Sequence, residues 1–209
     1  MPTTAKPVKK FHASRWAEFN HPSGWIAGEK RLFCPQSGLI FWQMKNNKQI
    51  LVIGCGNLLR GDDSVGPILI RRLWELGLPE GVFCADGGTA GMDVAFQMRG
   101  KDKVIIIDAC KTGEEAGSVF KVPGEELENL PPLTDIHTHN FRWDHALAFG
   151  RWLLKEDYPK DITVYLIEGE NFDFGEVLTP KVRETMEKLA VRLLEDLRLE
   201  VEQNAAAAV

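Results

Sequence analysis

Three acidic side chains and a pair of imidazoles in this 209-residue chain have the types and placing to work together. Asp62 and Asp63 close the run Gly54-Cys55-Gly56-Asn57-Leu58-Leu59-Arg60-Gly61-Asp62-Asp63. Asp108 ends the apolar run KVIIIDAC (103–110), and a later segment reads His137-Thr138-His139-Asn140. Two carboxylates and a histidine, Asp63, Asp108 and His139, suit a borderline divalent ion such as nickel or zinc. Three protein ligands would leave positions open for a further one. Each residue also has plainer work available. Asp62 or Asp63 could cap a helix, Asp108 could satisfy loop amides, and a lone histidine is commonly a surface or packing residue. Their placement after successive strands favours a shared site.

The elements that must hold them alternate. QILVIGCG (49–56) reads as a buried strand, and Asp63 to Leu76 as a helix with Val65, Ile68, Leu69, Leu73 and Leu76 on one face. GVFCAD (81–86) is a second strand, followed by the glycine-rich loop Gly87-Gly88-Thr89-Ala90-Gly91 and a short helix from Met92 to Arg99. Strand three (103–110) ends in Asp108. SVFKV (118–122) is a short strand suited to an edge, Trp143 to Lys155 a helix, and ITVYLIEG (162–169) a further buried strand. Thr179 and Pro180 open a last helix with the stripe Val182, Met186, Leu189, Leu193 and Leu197, and the tail NAAAAV is expected to fray. This order predicts an α/β three-layer sandwich with a mainly parallel, twisted sheet of about five strands flanked by helices. Ligands of such sheets sit at the carboxyl ends of the strands.

Composition narrows the classes. A net charge of −5 speaks against nucleic-acid and anionic-membrane partners. No apolar run approaches the roughly 18 residues of a membrane span, and the N-terminus lacks the apolar stretch of a secretory signal. Cys34, Cys55, Cys84 and Cys110 form no CxxC pair, and the last three fall in or beside predicted strands. They read as small buried hydrophobes in a reducing, cytoplasmic compartment. Residues 1–43 differ from the rest, with six Lys/Arg against two Asp/Glu, three tryptophans and no sustained period. Met44 opens a natural-looking start, so 1–43 are expected to be an extension, disordered or not native, and 44–209 the functional domain. Gly54 and Gly56 resemble part of a dinucleotide fingerprint, but Leu59 stands where the third glycine belongs and two carboxylates follow, so no nucleotide is expected.

Four motifs together resemble one family. GCGNLLRGDDSVGP (54–67), DGGTAG (86–91), IIIDA (105–109) and THN (138–140) occur in the order and near the spacing of the nickel–iron hydrogenase maturation endopeptidases, over about 49–197. Ser64 departs from the glycine common there. The resemblance implies hydrolysis of one peptide bond near the C-terminus of a hydrogenase large-subunit precursor, once nickel is in place. It implies nickel recognition by Asp63, Asp108 and His139, with His137 and His145 outside the pattern. The nickel would be substrate-borne rather than a resident cofactor. Asp63 and Asp108 are the catalytic candidates, through water activation or beside a polarising metal. Gly87, Gly88, Thr89, Ala90 and Gly91 would admit a substrate strand. The precursor is the expected partner and a monomer the expected state. A non-catalytic nickel-sensing or chaperone module on the same fold is the alternative. A free-standing metallopeptidase fits poorly, because no HExxH helix is present.

Overall fold

A computed structural model describes residues 48–128 and 143–207. The expectations for residues 1–43, Met44, Cys34, His137, Thr138, His139 and Asn140 lie outside the described residues.

Five strands form one sheet: β1 (Ile50–Cys55), β2 (Val82–Gly88), β3 (Lys103–Cys110), β4 (Val119–Pro123) and β5 (Asp161–Glu168), in the order β2-β1-β3-β5-β4. β1 pairs in parallel with β2 and β3, and β3 with β5. β4 is the edge strand the sequence suggests, and it runs antiparallel to β5. Helices α1 (Val65–Leu76), α2 (Gly91–Gln97), α3 (Gly124–Glu128), α4 (Trp143–Leu154) and α5 (Pro180–Ala207) complete the layers.

The strand alternation sorts the core into two halves. Ile50, Val52, Ile105, Ile107 and Ala109 face α1 and α5, against Leu69, Leu73, Val182, Met186 and Leu193. Leu51, Ile53, Cys55, Val104 and Ile106 face α2 and α4, against Val94, Met98, Ala146 and Leu147. Both faces are covered, which is why β1 and β3 read as continuous apolar runs. Ile106 is fully buried, and its truncation to alanine would cost about 3 kcal/mol. The five predicted stripe positions of α5 are all buried.

Close backbone approach explains two of the motif glycines. A Cβ on Gly54 would overlap the Gly66 carbonyl, and one on Gly66 would overlap the Cys55 carbonyl. They let α1 lie directly on β1, as β-sheet–helix packing rather than as a phosphate cradle.

The structure corrects two local expectations and adds one short helix. Neither Asp62 nor Asp63 caps α1. Both lie in a 3-10 turn (Gly61–Ser64) ahead of the helix, and no side chain caps its start. The short helix α3 carried no apolar period to mark it. The tail does not fray at Asn204, because α5 continues to Ala207, consistent with alanine's helix propensity.

Candidate active site

The carboxyl edge of the sheet is organised around Gly56. Its φ of +130° is open to glycine at little cost. A Cβ there would overlap the Asp63 carbonyl oxygen and stand 3.6 Å from Asp108 Oδ1. The Asp63 backbone carbonyl and the Asp108 carboxylate, 45 positions apart in sequence, thus both lie beside Gly56. The Gly56 amide donates to the Gly88 carbonyl at 2.9 Å, which ties the end of β1 to the end of β2. Asn57 N–H donates to Asp63 Oδ2 at 3.1 Å. No described residue donates to Asp63 Oδ1. Asp108 is buried at 5% exposure, and its Oδ1 accepts from the Ala109 amide at 2.8 Å.

The neighbouring Asp62 has a different occupation. It is fully buried, and its carboxylate accepts from Glu170 N (2.9 Å), Asn171 N (3.0 Å), Thr179 N (2.7 Å) and Thr179 Oγ1 (3.1 Å). Its own amide donates to the Asn171 carbonyl at 2.8 Å. Asp62 thus fastens the whole loop from β5 to α5 and fixes the turn that presents Asp63.

A second buried carboxylate does the same for the loop after β3. Glu168 ends β5 opposite Cys110. It accepts from Thr112 N, Thr112 Oγ1 and Gly113 N, each at 2.8 Å, and from the Cys110 thiol at 3.3 Å. Burial by itself would raise the Glu168 pKa. The Thr112 amide and hydroxyl, the Gly113 amide and the Cys110 thiol outweigh it and bring the carboxyl down to about 2. The Cys110 thiol is pushed up to about 12, by burial first and then by its bond to Glu168 and the charges of Glu168 and Asp108. It is a hydrogen-bond donor here, not a nucleophile.

Comparison with known proteins bears on this geometry. The sequence model of the hydrogenase maturation protease family matches residues 68–196. The hydrogenase 2 maturation protease of Escherichia coli is 30% identical over 153 residues, covering 72% of this chain and 91% of that protein. The chain belongs to the hydrogenase maturation protease family. Two solved structures agree in fold. The hydrogenase maturating endopeptidase HybD of E. coli superimposes with a TM-score of 0.60 at 29% identity, over 73% of this chain and 93% of that one. The hydrogenase maturation protease HybD of Thermococcus kodakarensis gives 0.53 at 27% identity, over 71% and 98%.

As a hydrogenase maturation protease, the chain is a peptidase, and its fold places the sequence candidates as follows. The Asp63 backbone carbonyl and Asp108 Oδ1 both lie beside Gly56, whereas His139 lies outside the described residues. Among the described residues, no three His, Cys, Asp or Glu side chains cluster to hold a metal ion. The glycine loop of this protease divides in two. Gly87 is the extra residue where the β1–β2 register slips, and a Cβ on it would press on Ile53, Cys55 and Val94. Gly87 and Gly91 are buried, but Thr89 and Ala90 are exposed, and Gly88 (φ +51°) has open space where a Cβ would stand. A hollow of about 770 Å³ opens between Lys121–Glu125 and Lys155–Thr163. It sits at the amino end of β5 and contains neither Asp63 nor Asp108.

Sequence reasoning missed the holding roles of Asp62 and Glu168. A weak signal existed for each: an acid directly beside the candidate acid, and an acid closing an otherwise apolar strand. No helix among the described residues is long and apolar enough to cross a membrane.

Proposed function

We propose that this chain removes the C-terminal extension of a nickel-containing hydrogenase large-subunit precursor after nickel insertion, working in the cytoplasm. The observation that carries this reading is the division of labour between adjacent acids. Asp62 spends its carboxylate on four hydrogen bonds within the fold, while Asp63 keeps Oδ1 without a described donor, and its backbone carbonyl and the Asp108 carboxylate both stand beside Gly56.

In this reading nickel arrives with the substrate, held by the precursor. Asp63, Asp108 and His139 add ligands to it, so that docking depends on a filled metal site. Carboxylate oxygens suit that task because they are anionic donors to divalent ions. Hydrolysis adds water across the peptide C–N bond. A carboxylate of the pair takes the proton of the attacking water and returns one to the leaving amine. Gly88, Thr89 and Ala90 offer backbone to an extended substrate segment, since no bulky side chain screens them. Cys84 and Cys110, which form no disulfide, suit a reducing compartment.

The test mixes purified chain with nickel-loaded and nickel-free precursor and follows precursor mass. Loss of a C-terminal peptide from the loaded form alone is expected, abolished by Asp63→Asn, Asp108→Asn and His139→Ala. Tight binding without cleavage would instead favour a nickel-sensing or chaperone module.

A further inference from the structure

Leu58, Leu59, Phe174 and Val177 are exposed by 39%, 57%, 76% and 70%. Four large apolar side chains left in water on two short loops are a costly arrangement unless something covers them. The loops are not loose. Gly175 N donates to the Leu59 carbonyl at 2.8 Å and Gly61 N to the Glu176 carbonyl at 3.2 Å, so residues 59–61 and 175–176 run side by side. Leu59 N donates to Asn57 Oδ1, and Asp173 N to Asn171 Oδ1. The Asp62 carboxylate then anchors the second loop at Glu170, Asn171 and Thr179. The apolar rim is therefore presented in a fixed shape, and it begins five residues before Asp63.

The second loop is acidic, while the first carries the exposed Arg60. Residues 170–177 contain Glu170, Asp173 and Glu176, all exposed, and no Lys or Arg. Neither Asp173 nor Glu176 has an ion pair among the described residues.

We propose that this clipped double loop is the docking surface for the precursor: Leu59 and Phe174, with Leu58 and Val177, take an apolar segment of the large subunit whose flanks carry cationic side chains. The inference rests on the proposed function, and it names the part of that substrate the enzyme holds away from the scissile bond. Continuity with the acids sets the partner. A protein whose tail reaches Asp63 comes up beside the loop that leads into it. An apolar centre next to the acidic second loop favours a partner with an apolar segment and cationic flanks. Binding made remote from the reacting bond changes how tightly substrate is held more than how fast it reacts.

The test uses the full chain and nickel-loaded precursor, with Leu59→Ser/Phe174→Ser compared against Trp152→Ser/Val191→Ser. The second pair removes exposed apolar groups from α4 and α5, away from the rim. For the rim variant, KM is expected to rise at least about tenfold with kcat within about twofold, while the control stays within about twofold in both. Asp173→Asn/Glu176→Gln is expected to raise KM at low salt, with the difference shrinking at high salt. Circular dichroism and a thermal melt show that each variant is folded, as these exposed positions allow. An unchanged KM in a folded rim variant would overturn the docking role while leaving the protease reading intact. A parent that neither binds nor trims the precursor would overturn both. A parent that self-associates, with the rim variant alone monomeric by light scattering, would overturn the proposal in favour of a second copy as occupant.

Discussion

The carboxylate of Asp62 and the backbone amide of Thr179 meet at 2.7 Å across 117 positions of sequence. That bond, with three others to the same carboxylate, joins the loop after β1 to the start of α5. Asp62→Ala would leave the Glu170, Asn171 and Thr179 amides and the Thr179 hydroxyl without their acceptor. The expected cost is about 3 kcal/mol or more, seen as a melting point lower by roughly 6–12 °C for a chain of this size. Asp63→Asn breaks nothing comparable. It should melt within about 3 °C of the parent and yet lose processing activity. Calorimetry beside the precursor assay separates the two neighbours.

Gly56→Ala tests the crowding at the centre of the site. The backbone there is at +130°, and a methyl group would overlap the Asp63 carbonyl. The turn must move for the variant to fold. A loss of about 2 kcal/mol is expected from strain, with a fall in processing of at least about tenfold because the turn that carries Asp63 is displaced relative to Asp108. Full activity in a folded variant would show that the spacing of Asp63 and Asp108 is not critical.

Glu168 gives a pH-dependent prediction. Its carboxyl is brought down to about 2 from an ordinary value of 4.5. Burial opposes that shift, and the hydrogen bonds from Thr112, Gly113 and Cys110 overcome it. A group more acidic when folded stabilises the fold above its unfolded pKa, and that stability is lost as pH falls through the folded value. Melting points of the parent and Glu168→Gln should differ at pH 7. The gap should close as pH is lowered from about 4.5 towards about 2. A constant gap over that window would refute the assignment of the shift.

At the opposite edge, Glu200 of α5 receives Lys48 Nζ and Lys103 Nζ at 2.7 Å each, with Asp161 3.5 Å from Lys103. Glu200→Gln should cost about 1 kcal/mol, a modest figure because these groups are partly in water. Most of it should vanish in molar salt. Denaturant titrations at low and high ionic strength would measure it.

The sequence announced the parts of the fold whose cause is local. β3 declares itself by its unbroken isoleucines, and α5 by a stripe recurring every three to four residues, because burial repeats with the geometry of the element. Asp63 and Asp108 stood out as candidates because one follows a recognisable strand and the other lies near the end of one. What could not be read depends on distant partners. Nothing near Asp62 in sequence reveals that its donors lie at Glu170, Asn171 and Thr179, and the pair Asp62-Asp63 looks interchangeable until burial separates them. Glu168 likewise meets its donors more than fifty positions back in the chain. The direction of β4 was equally hidden, since an edge strand shows the same alternation whichever way it runs.

The length of α5 sets a ruler on the molecule. Its 28 residues extend about 42 Å at 1.5 Å per residue, while the eight-residue β3 and β5 reach only about 27 Å. One end of that rod is bolted at Thr179 to the acidic edge, and the other overshoots the sheet. A dye or surface tether attached near Ala207 would therefore stand about 40 Å from Thr179 and the Asp62 carboxylate bound to it. Such a tether leaves the substrate's approach clear, and it gives a fixed reference from which the arrival of a labelled precursor could be measured.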